Sequence, residues 1–509
     1  MFWECMFLCL TSAGCILLFF GWRGYRGKLS RGKPGTYGSA LSGGKPGTYM
    51  GVLCLLAVLV AGCDRGGDST QATHTGSTPV TTKTADALPS TSHTWNDWFA
   101  YHHDATHAGY LPSVPDPQHL AQAWKTKLDG AVYAEPLVVK NHVIVATEND
   151  TIYSLDPQTG KVGWQTNVGT PVQRSTLPCG NIDPLGITGT PVYDPDSGLI
   201  FAVAEISGPQ HILVGINADS GKVQMRRVVD VGGMDPTVYQ QRAALAVANG
   251  QVYIAYGGLA GDCGQYIGTL VAARTNGQGG LIFYRVPTTR EGGIWTSPGP
   301  TIDKDGNVFV SVGNGEQTSG DWDHSDSVLR LSPQLKLMDA FAPQDWQDEN
   351  SHDTDLGSMG PLLLPNNQLF ISGKSGKGYI LHANALGGVG GQISETRICD
   401  GQAMGGGATV GSQILVPCND GVRRVTVSPD GHLSVDWHIS DMKLSPIVGG
   451  HTVYGLDTGG TLYAADLTSG KVRTSISLSE EVPHFTTPTL SGRTLFIGTM
   501  NGVAAVSLS

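Results

Sequence analysis

Thr151-Ile152-Tyr153-Ser154-Leu155-Asp156-Pro157-Gln158-Thr159-Gly160-Lys161-Val162-Gly163-Trp164 decides the fold of this chain. A short apolar strand runs into a turn, and a second strand carrying a tryptophan follows. Asp156 can accept bonds from the turn backbone, and Gly160 supplies a positive φ. The same turn recurs as Asn217-Ala218-Asp219-Ser220-Gly221-Lys222 and Asp466-Leu467-Thr468-Ser469-Gly470-Lys471. Upstream of the first copy lie two more short apolar runs, at 135–139 and 143–146. Their opening phrase, a polar residue and Pro or Gly before an apolar run, occurs eight times. The other copies are at 188–192, 242–246, 298–302, 360–364, 406–410, 445–448 and 487–490. A spacing of roughly 40–60 residues is the period of a repeat architecture. Four strands per unit and eight units predict an all-β, eight-bladed β-propeller of four-stranded antiparallel blades.

The last unit stops after three strands, while Ala121–Leu128 precedes the first unit as an orphan fourth strand. Pairing the two would close the ring and remove both sheet edges. Three residues after Lys161, Trp164 is placed to pack on the neighbouring blade, as are Trp124 and Trp437 in comparable outer strands. Met225 and Thr474 stand at the matching positions of two other units, where this docking is expected to be eroded. Seventy glycines and 28 prolines suit many tight turns, and no stretch shows a sustained helical period.

The formal charge of −11 is uneven, because residues 1–63 carry a net +5 and leave −16 on the remainder. An acidic body argues against a nucleic-acid partner. The front end reads as a targeting segment, 1–63. Its apolar run 52–61 ends in Leu59-Val60-Ala61-Gly62-Cys63, which resembles a lipobox with Cys63 as the lipidated residue. Residues 64–92 are Ser/Thr-rich without apolar period, a disordered tether ahead of a propeller domain at 93–509. The hexamer Gly-Lys-Pro-Gly-Thr-Tyr occurs at 32–37 and 44–49, just ahead of Met50. This stretch reads either as a basic signal-peptide segment or as translated upstream sequence with a later true start.

Cys179, Cys263, Cys399 and Cys418 remain beyond the lipobox, an even number for an exported domain. Four cysteines allow three connectivities. Cys399 and Cys418 flank neighbouring strands of one blade and are expected to pair, leaving Cys179 with Cys263 in two funnel-side loops. No cysteine spacing suits zinc or an attached haem. His102, His103 and His107 read as a surface wrap, and Asp345, Asp348, Glu349, Asp353 and Asp355 as a solvated loop, so no metal site is predicted. Residues just ahead of each innermost strand should face the axial funnel. Glu135, Arg242, Trp295, Asp355, Lys443 and His484 are therefore the candidate ligand-facing set. They carry both signs of charge and suit a polar or zwitterionic partner.

The pattern Leu155-Asp156-Pro157-Gln158-Thr159-Gly160-Lys161-x-x-Trp164 resembles the repeat of pyrroloquinoline-quinone (PQQ) type propellers. Stretches 179–191, 241–245, 291–295, 312–315 and 325–329 are similar to exported PQQ-binding-like β-propeller repeat proteins. That superfamily holds quinoprotein alcohol dehydrogenases and BamB-type scaffold lipoproteins, and fold alone does not separate the two. In the enzymes, the quinone lies between an aromatic floor and a lid of two adjacent cysteines, beside a Ca²⁺ ion and an Asp base. The resemblance would place Asp321 as that base, Trp295 as the axial aromatic and Asn314 in support. No two cysteines are adjacent here, Thr296 follows Trp295 where the enzymes often have Asp, and no Glu matches the calcium ligand.

Two functions follow as expectations. One is an exported propeller, lipid-anchored at the outer face of the cytoplasmic membrane and without an intact PQQ site, serving as a monomeric binding or assembly platform for envelope proteins or a polar small molecule. The alternative is a PQQ- and calcium-dependent alcohol or sugar dehydrogenase.

Overall fold

The computed structural model describes residues 96–509. The targeting segment, Cys63 and the tether lie outside the described residues. Eight antiparallel sheets form an eight-bladed β-propeller. The first blade runs Leu137–Val139, His142–Ala146, Thr151–Leu155 and Val162–Asn167 from axis to rim. The innermost strands of the next seven are Val192–Asp194, Ala246–Ala248, Thr301–Ile302, Leu362–Leu364, Ala408–Val410, Ile447–Gly449 and Thr489–Ser491. All eight repeated phrases thus lead into innermost strands. Second and third strands are covered on both faces and read as unbroken apolar runs, whereas rim strands such as Val162–Asn167 alternate between exposed and half-buried.

Ring closure follows the expectation. Leu120–Lys127 pairs antiparallel with Gly502–Leu508 and supplies the rim strand of the eighth blade. The Ser509 carbonyl accepts from the Gln118 and His119 amides, which ties the two ends of the ring together.

Each rim tryptophan docks on the turn of the next blade. Trp124 Nε1 donates to the Pro157 carbonyl at 3.0 Å, Trp164 Nε1 to Ala218 at 3.1 Å and Trp437 Nε1 to Leu467 at 3.0 Å. Gly160 has φ +68°, and a Cβ there would lie 2.5 Å from the Trp124 ring. Glycine is required both for the turn and for the ring above it. Met225 keeps a version of this contact, because a Cβ on Gly277 would meet its Cγ at 2.8 Å. The docking is eroded there, with a flexible thioether instead of an indole.

The entry segment is not a surface wrap. Residues 96–111 cross the axis as a strap whose backbone bonds that of five innermost strands. Trp98 donates its amide to Val138 at 2.7 Å, and the amides of Tyr193, Ile302 and Thr409 each donate at 2.8 Å to Phe99, Ala105 and Ala108 respectively. Tyr110–Leu111 then runs parallel to Val448–Gly449. His102 and His107 are buried, as is Tyr101, which stacks on His102 at 4.2 Å. His102 bonds through Nδ1 to the Gly407 carbonyl and through Nε2 to Thr487 Oγ1, both at 2.9 Å. Burial lowers the pKa of His102 to about 3 and of His107 to about 4, so both imidazoles are neutral. A strap across strand ends needs polar residues to satisfy free backbone groups, which is why its sequence looks like surface. The acidic run is only in part a solvated loop, with Asp345, Asp348 and Asp353 exposed. Trp346–His352 is the one α-helix among the described residues, and it buries Glu349, while Asp355 is buried just after it.

Candidate functional site: the axial cavity

The innermost strands run from the mouth of the funnel to hairpins at its base, and the strap closes the base. Above it, a cavity of about 400 Å³ opens on the axis. Arg242, Trp295, Asp355 and His484, four of the six residues placed ahead of inner strands, line it. Lys443 lines a small adjoining pocket of about 140 Å³ that shares Met404, His484 and Phe485 with the main one. Glu135 does not face the cavity. It is buried and turned to the strap, accepting from Trp98 Nε1 at 2.9 Å and from the His102 amide at 2.8 Å. Its place ahead of the strand is as read, but the buried tryptophan and backbone amide of the strap claim its carboxylate.

Lys374, Phe485, Tyr133, Glu291 and Asp353 also line the cavity and were not anticipated. Lys374 and Asn314 each stand two residues past a second strand, Gln368–Ser372 and Val308–Val312. The ends of second strands therefore reach the mouth as the starts of first strands do, and that signal was available.

Lys374 organises one wall. Its Nζ lies 2.8 Å from Asp355 Oδ1 and 2.5 Å from Asp353 Oδ1, and it stands 5.6 Å above the Trp295 ring. Trp295 Nε1 donates to Asp355 Oδ2 at 3.3 Å, and Asn314 Nδ2 donates to Asp353 Oδ1 at 2.7 Å. Burial works against the Lys374 charge, but Asp355 and Asp353 outweigh it and hold the ammonium above its ordinary pKa. Burial raises Asp355, with Lys374 pulling the other way.

Arg242 reaches across the axis from the start of the third blade. Its Nη2 donates to the His484 carbonyl at 3.1 Å, ahead of the eighth blade. The guanidinium lies 4.8 Å from the Phe485 ring and 5.7 Å from that of Tyr133. Phe485 itself has φ +66°, a left-handed backbone that costs a bulky residue on the order of 1–3 kcal/mol. Its ring sits 6.2 Å from Trp295.

Both disulfides pair as expected, Cys179–Cys263 and Cys399–Cys418. The first bridges the loops that carry Asn181, Ile182, Leu259, Ala260 and Asp262 and so braces one wall of the cavity. Behind the same wall, burial raises Glu148 and Asp150 to about 8. Asp321 sits on an exposed loop outside the cavity lining, its carbonyl accepting from Gln317 Nε2 at 2.6 Å.

The residues present do not fit a quinone and calcium pair. Calcium takes six to eight oxygens converging on one point, and here Asp353 and Asp355 converge on the Lys374 ammonium. Among the described residues no group of three or more His, Cys, Asp or Glu is arranged to hold a metal ion. The wall disulfide joins residues 84 apart in sequence rather than neighbours, so it is not the lid of adjacent cysteines.

The profile of the PQQ_2 family, described as outer membrane protein assembly factor BamB, matches residues 116–383. That is more than half of the chain, and the chain belongs to this family. No curated protein matches it in sequence. Among solved structures, quinohemoprotein alcohol dehydrogenase from Comamonas testosteroni aligns with TM-score 0.65 at 14% identity, covering 81% of this chain and 80% of that one. A europium-containing methanol dehydrogenase aligns with TM-score 0.63 at 15% identity over 81% and 98%. BamB from Moraxella catarrhalis aligns with TM-score 0.53 at 13% identity over 77% and 100%. At such identities these likenesses speak to the fold alone.

Proposed function

We propose that this protein is an exported propeller, lipid-anchored through Cys63, that works at the outer face of a membrane as a binding platform for a polar small molecule or an envelope protein. The observation that carries this reading is Lys374 Nζ held between Asp353 and Asp355, where a redox site of this fold would need a free cluster of oxygens. The cavity keeps aromatic rings and charges suited to binding, and Asp353 and Asp355 are already paired with Lys374. The family description, an assembly factor of the outer membrane, supports an envelope location. No described helix is long and apolar enough to cross a membrane.

Equilibrium binding of PQQ to the full-length protein, with and without Ca²⁺, tests the proposal. No binding at micromolar concentration is expected, and calcium-dependent binding in that range overturns it. The alternative, a PQQ- and calcium-dependent dehydrogenase, draws on Trp295 in the cavity, while Asp321 lies outside the lining. Dye-linked oxidation of alcohols and aldoses after loading with PQQ and Ca²⁺ would support that alternative.

A further inference from the structure

The two signs of charge in the cavity are separated across the axis. Arg242 points to the side of the eighth and first blades, where Tyr133, His484 and Phe485 stand. Glu291, Asp353, Asp355 and Asp262 come from the third to fifth blades. Lys374 is committed to Asp353 and Asp355 and Arg290 to Glu291, so these four carboxylates against two cations leave this wall net acidic.

Arg242 is the contrasting group. Among the described residues no carboxylate lies within ion-pair distance of it, and its one hydrogen bond to protein goes to a backbone carbonyl. The Tyr133 and Phe485 rings lie near the guanidinium, whose remaining N–H groups suit a carboxylate. The left-handed backbone of Phe485 puts one of those rings in place.

Between the poles lie two aromatic rings. Trp295 adjoins Lys374 and Asp355, and the Phe485 ring lies 6.2 Å from Trp295 and 4.8 Å from the Arg242 guanidinium. The charges of an α-amino acid share one carbon and cannot reach both poles. An extended chain advances roughly 3.3–3.6 Å per residue, so two or three residues span the rings. Asn314 and Gln240 in the lining can bond the peptide amide, and an apolar side chain can lie against Trp295. A volume of about 400 Å³ suits a ligand of that size.

We infer that the cavity takes a short zwitterionic peptide, with its carboxylate on Arg242 and its ammonium on the acidic wall of the third to fifth blades. The inference deepens the binding-platform reading and rests on it.

Calorimetric titration of the full-length protein with Ala-Phe and Gly-Gly-Phe tests it, alongside their N-acetyl and C-amide forms, free phenylalanine and glucose. The free peptides are expected to bind, and each block should weaken binding about tenfold or more, one full charge contact. Arg242→Gln should erase the penalty of the C-amide and keep that of the N-acetyl group. Asp353→Asn should do the reverse. Where Arg242→Gln fails to fold, Arg242→Lys should retain the carboxylate preference at lower affinity, and the wild-type comparison of free with blocked peptides decides alone. Equal binding of free and blocked peptides, binding of glucose only, or no peptide binding overturns the inference. The platform reading fails separately, on calcium-dependent PQQ binding.

Discussion

The two ends of the propeller axis use the same eight inner strands and similar polar residues to opposite effect. At the base, Glu135, His102 and His107 are buried against the strap, and the histidines are uncharged. At the mouth, Arg242, Lys374, Asp353 and Asp355 surround a cavity, and Phe485 holds a strained backbone beside them. The base holds the ring together, and the mouth leaves a cavity open. Residue type alone does not separate these roles, because the partner across the axis does.

Removing residues 96–128 takes away both the strap and the closing strand, so the contrast should collapse with the fold. Loss of a cooperative thermal transition is expected, and a transition like that of the whole protein would show that neither element closes the ring. Trp98→Ala should cost about 3–5 kcal/mol, since it empties a fully buried site and strips a donor from Glu135. Urea unfolding measures that cost, and Ala-Phe affinity should stay unchanged if base and mouth are independent.

The two ends should also differ in their response to pH. His102 and His107 have folded pKa values below the ordinary 6.5, so their contribution is complete above 6.5 and is lost as pH falls toward 4 and 3. Glu148 and Asp150, at the mouth end, have folded values raised to about 8. Their contribution is complete below the usual carboxylate range and is lost as pH rises through 8. Each group in its window changes stability by up to about 1.4 kcal/mol per pH unit. Melting temperature against pH should therefore fall on both sides of a mildly acidic maximum. His102→Gln should flatten the acid limb and Glu148→Gln the alkaline limb, and an unchanged profile in either variant would refute that assignment. The smallest effect belongs to the rim. Trp164→Ala should cost about 2–3 kcal/mol in urea unfolding through one blade contact and leave both axial ends intact.

The blades were legible because their signals are local: Pro or Gly ahead of an inner strand, Asp and Gly in the turn, and Trp three residues after the turn. The closing strand was legible as a strand without a blade, and Cys399–Cys418 as loops flanking adjacent strands. The strap was not, since His102 meets Gly407 and Thr487, partners about three hundred residues or more away in sequence. Four funnel residues were found by their position ahead of inner strands. Glu135 was misdirected because the same position can turn toward the strap, and Phe485 was hidden by a left-handed backbone that no neighbouring glycine announces.

Hydrogen exchange with and without Ala-Phe tests most directly whether the mouth receives and the base holds. The account predicts added protection in the segments around Arg242, Trp295, Lys374 and Phe485, with the strap at 96–111 already slow and unchanged. Protection that appears in the strap, or none at the mouth under saturating peptide, would contradict it.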